Sequence, residues 1–279
     1  MKFLIYSAGM TLQDYRLYIF VGLVALLAVI EFAWPIYRHK QRTYSRWGTN
    51  FGLSFFSVAL VKYSYLPAAA AFALYIETQN IGLFNWLNID GALAIILSVI
   101  LLDVAIYGQH VLSHKWQFLW RFHRVHHSDG QMDVSTAVRF HPIEIFLSLF
   151  YKFVLISLLG APALAVVIFE LILSSGALFN HSNIRFGKRI DRYLQYIVVT
   201  PNMHRIHHSD DKQQTDSNYG FSISLWDRLF SSYTANYDAD KDINIGLKES
   251  AGQKTQNFIW CLKFPFVGKN PRVSKARGK

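Results

Sequence analysis

With one cysteine, Cys261, among 279 residues, the chain can form neither an internal disulfide nor a cysteine-ligated zinc or iron–sulfur site. Charge is scarce too: 16% of residues are charged against 52% hydrophobic, and the mean hydropathy is +0.19. That balance argues against an ordinary soluble domain and for a membrane protein. No G-x-G-x-x-G dinucleotide loop, H-E-x-x-H hydrolase motif, haem domain, internal repeat or low-complexity segment is found. Acidic residues are outnumbered, 18 against 28 basic, for a net charge of +10. The basic residues stand in blocks beside apolar runs, as Arg38, Lys40, Arg42 and Arg46 do after the first run. Anionic lipid and the positive-inside rule explain this placement better than nucleic acid does. Residues 3–10 form a short apolar patch with no small-residue cleavage site before Gln13 and Asp14, so residue 1 is expected to stay in the mature chain.

What is present is a series of apolar runs. Residues 17–35 are long enough to cross ~30 Å of hydrocarbon, interrupted only by Glu31 near the basic end. Residues 51–76 are broken by Lys62 and Pro67 and read as a kinked span, or as a shorter span with an interfacial piece. Residues 91–109 form the next span. Segments 36–50 and 115–139 carry Lys and Arg, whereas 78–90 carry none, which assigns the first two to the cytoplasm. One helix over 145–178 would extend about 50 Å at 1.5 Å per residue. Gly160, Ala161 and Pro162 near its middle predict two short antiparallel limbs that dip in and return. The expected architecture is a single all-α integral membrane domain with about four transmembrane or membrane-dipping helices. Three spans fall in 17–113, a His-rich segment in 114–144, the hairpin in 145–178, and a polar cytoplasmic cap in 179–279 with a basic tail of Lys263, Lys269, Arg272, Lys275, Arg277 and Lys279.

Ten of the 11 histidines fall between 110 and 208, where an even spread would place roughly four. They read His110-x3-His114, His123-x2-His126-His127 and His204-x2-His207-His208, with His141 and His181 between. Spacings of three and four put side chains on one helical face. Neutral imidazole is a favoured ligand of iron, zinc and copper, and so many rings exceed the need of one zinc, so two metal ions fit the count. The motifs sit at or just past the cytoplasmic ends of spans, where lipid arrives from one side and electrons from the other. His39, in a basic block, reads as a surface residue. His181 has polar neighbours, Asn180, Ser182 and Asn183. His141 precedes Pro142 and serves either as a ligand or as a helix start. Asp103, two turns before His110 on the same face, is the first candidate for orienting a ligand ring, with pairing to a Lys or Arg of a neighbouring helix as its alternative. Glu144, Asp210, Asp216 and Asn218 are further candidates, and Trp226, Asp227 and Arg228 read as a packed amphipathic helix on the bilayer.

The string D-x6-H-x3-H-x8-H-x2-H-H-S over 103–128 is followed by R-x-H-P-x-E at 139–144, F-N-H-S-N-I at 179–184, P-x-x-H-x-x-H-H-S at 201–209, and D-x-N-Y-G with W-D-R-L-F over 216–230. It resembles the sterol desaturase and fatty acid hydroxylase superfamily of membrane di-iron enzymes. That resemblance implies a four-helix transmembrane bundle with a cytoplasmic His-rich cap, two iron ions, O₂ as cosubstrate and a lipid oxidised at a C–H bond by hydroxylation or desaturation. His110, His114, His123, His126, His127, His181, His204, His207 and His208 match its ligand motifs. The third motif departs from some relatives, which would carry a further histidine at Ala177. The implied vacancy is left missing, filled by water held on Asn180 or Asn183, or taken by His141.

With no redox domain of its own, such an enzyme needs a cytochrome b5-like or ferredoxin-type donor, for which Lys188, Arg189 and Arg192 are the expected docking site. The expected location is a bacterial inner membrane or endoplasmic reticulum, with the site facing the cytoplasm. Two other readings stand beside it. A zinc hydrolase would use fewer histidines and a general base, and a metal transporter would place histidines inside spans or mobile loops.

Overall fold

A computed structural model describes residues 12–37, 43–235 and 243–267. The patch at 3–10, the block 38–42 with His39, and the tail cations from Lys269 onward lie outside the described residues. In chain order the helices are α1 (Leu12–Ala33), α2 (Thr43–Tyr63), α3 (Ala69–Gln79), α4 (Leu83–Trp86), α5 (Gly91–Lys115), α6 (Gln117–His127), α7 (Pro142–Leu159) and α8 (Ala163–His181). Five short ones follow: α9 (Lys188–Leu194), α10 (Pro201–His207), α11 (Lys212–Thr215), α12 (Leu225–Leu229) and α13 (Phe258–Lys263). Among the described residues there is no strand, only isolated bridges such as Pro35 with Ile184.

Four helices are long and apolar enough to cross a membrane: Tyr15–Ala33, Gly91–Lys115, Pro142–Leu159 and Ala163–His181. The run expected over 51–76 is not one of them. It divides where Tyr65 takes a φ of 59° ahead of Pro67, leaving α2 and the 11-residue α3. The N-terminal part of α2 is polar and buried at Arg46, Thr49 and Asn50, so it serves the cap rather than the lipid. The hairpin turns where expected, but its limbs are not short. At 18 and 19 residues each extends about 27 Å, close to the hydrocarbon thickness.

The turn between α7 and α8 rests on Gly160, whose φ of 69° lies in the left-handed region that glycine adopts without cost. Its amide bonds the Ile156 carbonyl at 2.8 Å. Gly82, at φ 110°, lies directly against it, where a Cβ would stand 2.1 Å from the Gly160 nitrogen. These two glycines let the α4 loop close over the hairpin tip. Below, Ala73, Leu102, Ile156 and Phe169 pack α3, α5, α7 and α8 into one core. A second cluster of Leu27, Val134 and Leu178 joins α1 to α8 and to the 3-10 turn Val134–Val138.

A buried polar network fixes the segment between α6 and α7. Arg46 reaches Asp129 at 2.9 Å and Asp133 at 2.8 Å, and all three side chains are almost wholly shielded. Arg139 donates to the Val125 carbonyl at 2.9 Å and to Asn50 at 2.8 Å. Burial opposes charge on Asp129, but Arg46 and then Arg139 and Asn50 outweigh it and hold the carboxyl well below the usual range. The C-terminal end of α6, with His126 and His127, is thereby anchored to α2.

Candidate metal centre

Nine histidines converge in two adjoining sets. His110, His114, His123, His127 and His207 form one, and His126, His181, His204 and His208 the other; within each set the ligand atoms lie within 4.8 Å of one another, and all nine residues are buried. Helix geometry explains the partition. In each H-x-x-H-H motif all three histidines lie on one broad face, the first and last, four apart, entering one set and the middle one, offset around the helix, the adjoining set. On α6, His123 and His127 enter the first set and His126 the second. At α10 the assignment reverses, His204 and His208 entering the second and His207 the first. Each motif thus serves both sets, which therefore adjoin: the His127 and His208 rings stack at 4.4 Å.

The last ligand pair differs. The end of α5 gives His110 and His114 to the first set, whereas the end of α8 gives only His181, because the position one turn earlier is Ala177. Asn180 donates to the Phe221 carbonyl at 2.7 Å, while its buried Oδ1 has no hydrogen-bond partner. The Asn183 side chain is engaged with the backbone of Tyr37, donating to its carbonyl at 2.9 Å and accepting from its amide at 3.3 Å. His141 stands apart from both sets: its Nδ1 accepts from the Ile143 amide at 3.2 Å and caps α7, and its Nε2 faces the Leu262 carbonyl at 3.3 Å.

Ring orientation comes mostly from backbone carbonyls. His110 Nδ1 donates to Tyr219 O at 2.6 Å, His207 Nδ1 to Ser217 O at 2.7 Å and His181 Nδ1 to Ala177 O at 2.8 Å. A carbonyl can only accept, so each of these nitrogens carries the ring's proton, and a neutral imidazole has no second one. The opposite nitrogens carry lone pairs. Even so, His110 Nε2 and His207 Nε2 stand 3.1 Å apart, as do His110 Nε2 and His123 Nε2. Lone pair facing lone pair in a buried site is reconciled by a cation shared between them, at imidazole–metal bond lengths of about 2.1 Å. Both ring nitrogens of buried His127 also lack a hydrogen-bond partner. The donor set therefore fits metal. Burial first, and then the neighbouring imidazoles, hold His126, His127, His204, His207 and His208 well below the ordinary histidine pKa, keeping lone pairs available at neutral pH.

Two carboxylates also touch the rings. Glu144 at the start of α7 accepts from His123 Nδ1 at 2.6 Å, and Asp216 lies 3.5 Å from His114 Nδ1. Asp103 does not touch a histidine. It accepts from Trp226 Nε1 at 2.6 Å, tying α12 to α5. The next residue, Asp227, accepts from the amides of Tyr219 and Gly220 at 2.7 and 2.8 Å and so positions the carbonyl that holds His110. Asp103 is thus two steps removed from the ring it was expected to orient. Asn218 staples loops, donating to the Met203 and Thr234 carbonyls. The apolar face of α12 is outward as expected, with Leu225 and Leu229 exposed.

The carbonyls of Tyr219, Ser217 and Ala177 have no signature in side-chain patterns. Glu170 did have one, an acid inside an apolar run, and it lines a cavity of about 270 Å³ that reaches His110 and His123.

Residues 95–232 match the family model described as fatty acid hydroxylase. The chain is 29% identical over 191 residues to ornithine lipid hydroxylase OlsE of Rhizobium tropici, covering 65% of this chain and 55% of that one. Alkylglycerol monooxygenase of Danio rerio is 29% identical over 183 residues, covering 65% and 39%, and that of Homo sapiens 27% over 136 residues, covering 48% and 29%. The chain therefore spans about half the length, or less, of these curated relatives. No solved structure matches. The matched segment, just under half of the chain, holds all nine converging histidines, and over that segment the chain is similar to the fatty acid hydroxylase family.

Proposed function

We propose that this chain is an integral membrane di-iron oxygenase that hydroxylates a lipid C–H bond, with O₂ as cosubstrate and electrons from a separate protein. The observation that carries the reading is the pairing of two buried imidazole sets that share each H-x-x-H-H motif. Nine rings are far more than one four-coordinate zinc takes up, and no general base of the H-E-x-x-H kind accompanies them. Fixed, buried rings also disfavour a transporter, which must release its ion.

His110, His114, His123, His127 and His207 would hold one iron, and His126, His181, His204 and His208 the other. Bound iron supplies the redox chemistry that activates O₂. Imidazole ligands have no charge to contribute, so the site stays electron-poor. The chain's own part is positional. Carbonyls and Glu144 fix the ring tautomers, the bundle keeps water out, and the cavity beside His110 and His123 holds the substrate carbon at the metal end. Hydroxylation is preferred over desaturation because the relatives are named as a hydroxylase and a monooxygenase.

The site is read as cytoplasmic, in a bacterial inner membrane or endoplasmic reticulum, with a cytochrome b5-like or ferredoxin-type donor. Lys188, Arg189 and Arg192 are exposed on α9 and offer that donor a basic face; unchanged turnover after charge reversal at all three would exclude this face. For the reaction itself, two irons per chain and an O₂-dependent lipid product gaining one oxygen are expected in purified protein. His126→Ala should lose both iron and product. One tightly bound zinc, or lipid profiles identical among wild-type, deletion and His126→Ala strains, would overturn the oxygenase reading.

A further inference from the structure

Three charged side chains meet inside the spans, away from the histidines. Arg16 of α1 contacts Glu170 of α8 at 2.8 Å, and Lys152 of α7 contacts the other Glu170 oxygen at 2.7 Å. All three line the cavity that also reaches His110 and His123. Charges within a span are costly, and among the described residues of this group one carboxylate faces two cations, which gives the group a net positive charge. Glu170 is buried, whereas Arg16 at 29% and Lys152 at 17% side-chain exposure keep some open surface and line the cavity. Between the two ends the wall is mostly apolar, with Ile106, Ile145, Leu173 and Phe221, and carries Gln109, Ser148 and Ser174 as polar members, while Glu144 stands at the histidine end.

A cavity with a cationic end, a mostly apolar wall and a metal-binding end has the polarity of an amphiphile. We propose that Arg16 and Lys152 seat the anionic group of the lipid substrate, a carboxylate or a phosphate, and that Glu170 holds the two cations in place for it. This rests on the oxygenase reading for what happens at the histidine end. Glu170 lies about 16 Å from His181 along α8 at 1.5 Å per residue. The anchor therefore sets which carbon of a bound chain reaches the metals, and Arg16 and Lys152 are specificity-determining residues.

The test uses metal-loaded protein in neutral detergent and three probes with one C16 chain: palmitate, hexadecyl phosphate and hexadecanol. Wild type should bind at least one anion about tenfold or more tighter than the alcohol, the scale of a charge-assisted hydrogen bond; whichever anion is preferred identifies the headgroup as carboxylate or phosphate. Lys152→Met and Arg16→Met should each reduce that preference to about threefold or less, while Lys152→Arg keeps it. Either Met variant leaves one neutral ion pair with Glu170, so the span carries less net charge and folding is spared. Equal binding of alcohol and anions by wild type, or full preference kept in both Met variants, overturns the proposal. Iron content read on the same samples separates the two readings. Two irons without anion preference sinks only this one, and anion preference without iron sinks only the oxygenase.

Discussion

Removing metal and lowering pH should unfold the histidine site within about one pH unit, because the rings that would hold metal are also rings the folded chain resists protonating. His126, His127, His204, His207 and His208 have folded pKa values well below 6.5, from burial first and mutual repulsion second. For a group depressed in the folded state, stability is full above the unfolded pKa and is lost as pH falls, since the unfolded chain takes up the proton first. Each histidine then costs about 1.4 kcal/mol per pH unit below pH ~6.5, and the five together up to about 7 kcal/mol per unit. A typical domain holds only about 5–15 kcal/mol. Chelator-treated protein in detergent, followed by intrinsic fluorescence against denaturant at pH 7.5, 6.5, 6.0 and 5.5, should show a proton uptake on unfolding that climbs from near zero toward five. Asp129 cannot mimic this, because Arg46 holds its carboxyl low and its share is lost only below about pH 4. An uptake that stays below two protons at pH 5.5 would refute the account of a buried, neutral imidazole site.

Other outcomes follow from single contacts. Glu144→Gln removes the anionic partner of His123 and should weaken iron binding about 10- to 100-fold by metal titration, whereas Asp103→Asn, whose partner is Trp226, should leave iron affinity within about threefold; equal losses would contradict the assignment of ring partners. Asp129→Asn leaves Asp133 as the one carboxylate facing the buried cations Arg46 and Arg139 in this network and should cost about 3–5 kcal/mol in denaturant melts, an effect absent if the network is solvated. His141→Ala should cost about 1 kcal/mol through the lost α7 cap while two irons remain bound; loss of iron would return His141 to the ligand set. Gly82→Ala should destabilise the chain by about 1–3 kcal/mol, since the added methyl meets the Gly160 backbone, and an unchanged melting temperature would show that the tip relaxes freely.

The fold and the ring set were legible from the sequence for different reasons. Apolar runs and the Gly160–Pro162 break are local signals, and the runs 17–35, 91–109 and 145–178 fall on all four candidate spans and contain the hairpin turn. The run at 51–76 misled because hydropathy does not register that α2 spends its first turns on Arg46, Thr49 and Asn50, whose partners come from distant parts of the chain. Histidine spacing is equally local, and periods of three and four mark eight of the nine converging rings; His181 has no such neighbour and stood out by its polar surroundings and by the family resemblance. What spacing could not show is which atom orients each ring, since Tyr219, Ser217 and Ala177 act through carbonyls that every residue possesses.

Asp103 shows where the face rule stops: it places the residue on the face of His110 but does not give the contact its carboxylate makes. Two turns of helix place its side chain above His110, but a carboxylate that far along the axis cannot reach Nδ1 of the ring. The nearer acceptor is a carbonyl from the loop after α11, and that loop needs its own anchor. Asp227 supplies it through two amides, and Asp103 holds the neighbouring Trp226 against α5. The acid inside the span therefore stabilises the geometry of His110 from behind the loop. If so, Trp226→Phe and Asp103→Asn should lower thermal stability by similar amounts, about 1–3 kcal/mol each for the lost hydrogen bond and the polar group it strands, and the double variant should cost little more than either alone. Fully additive losses would mean that the two residues do not act through one contact.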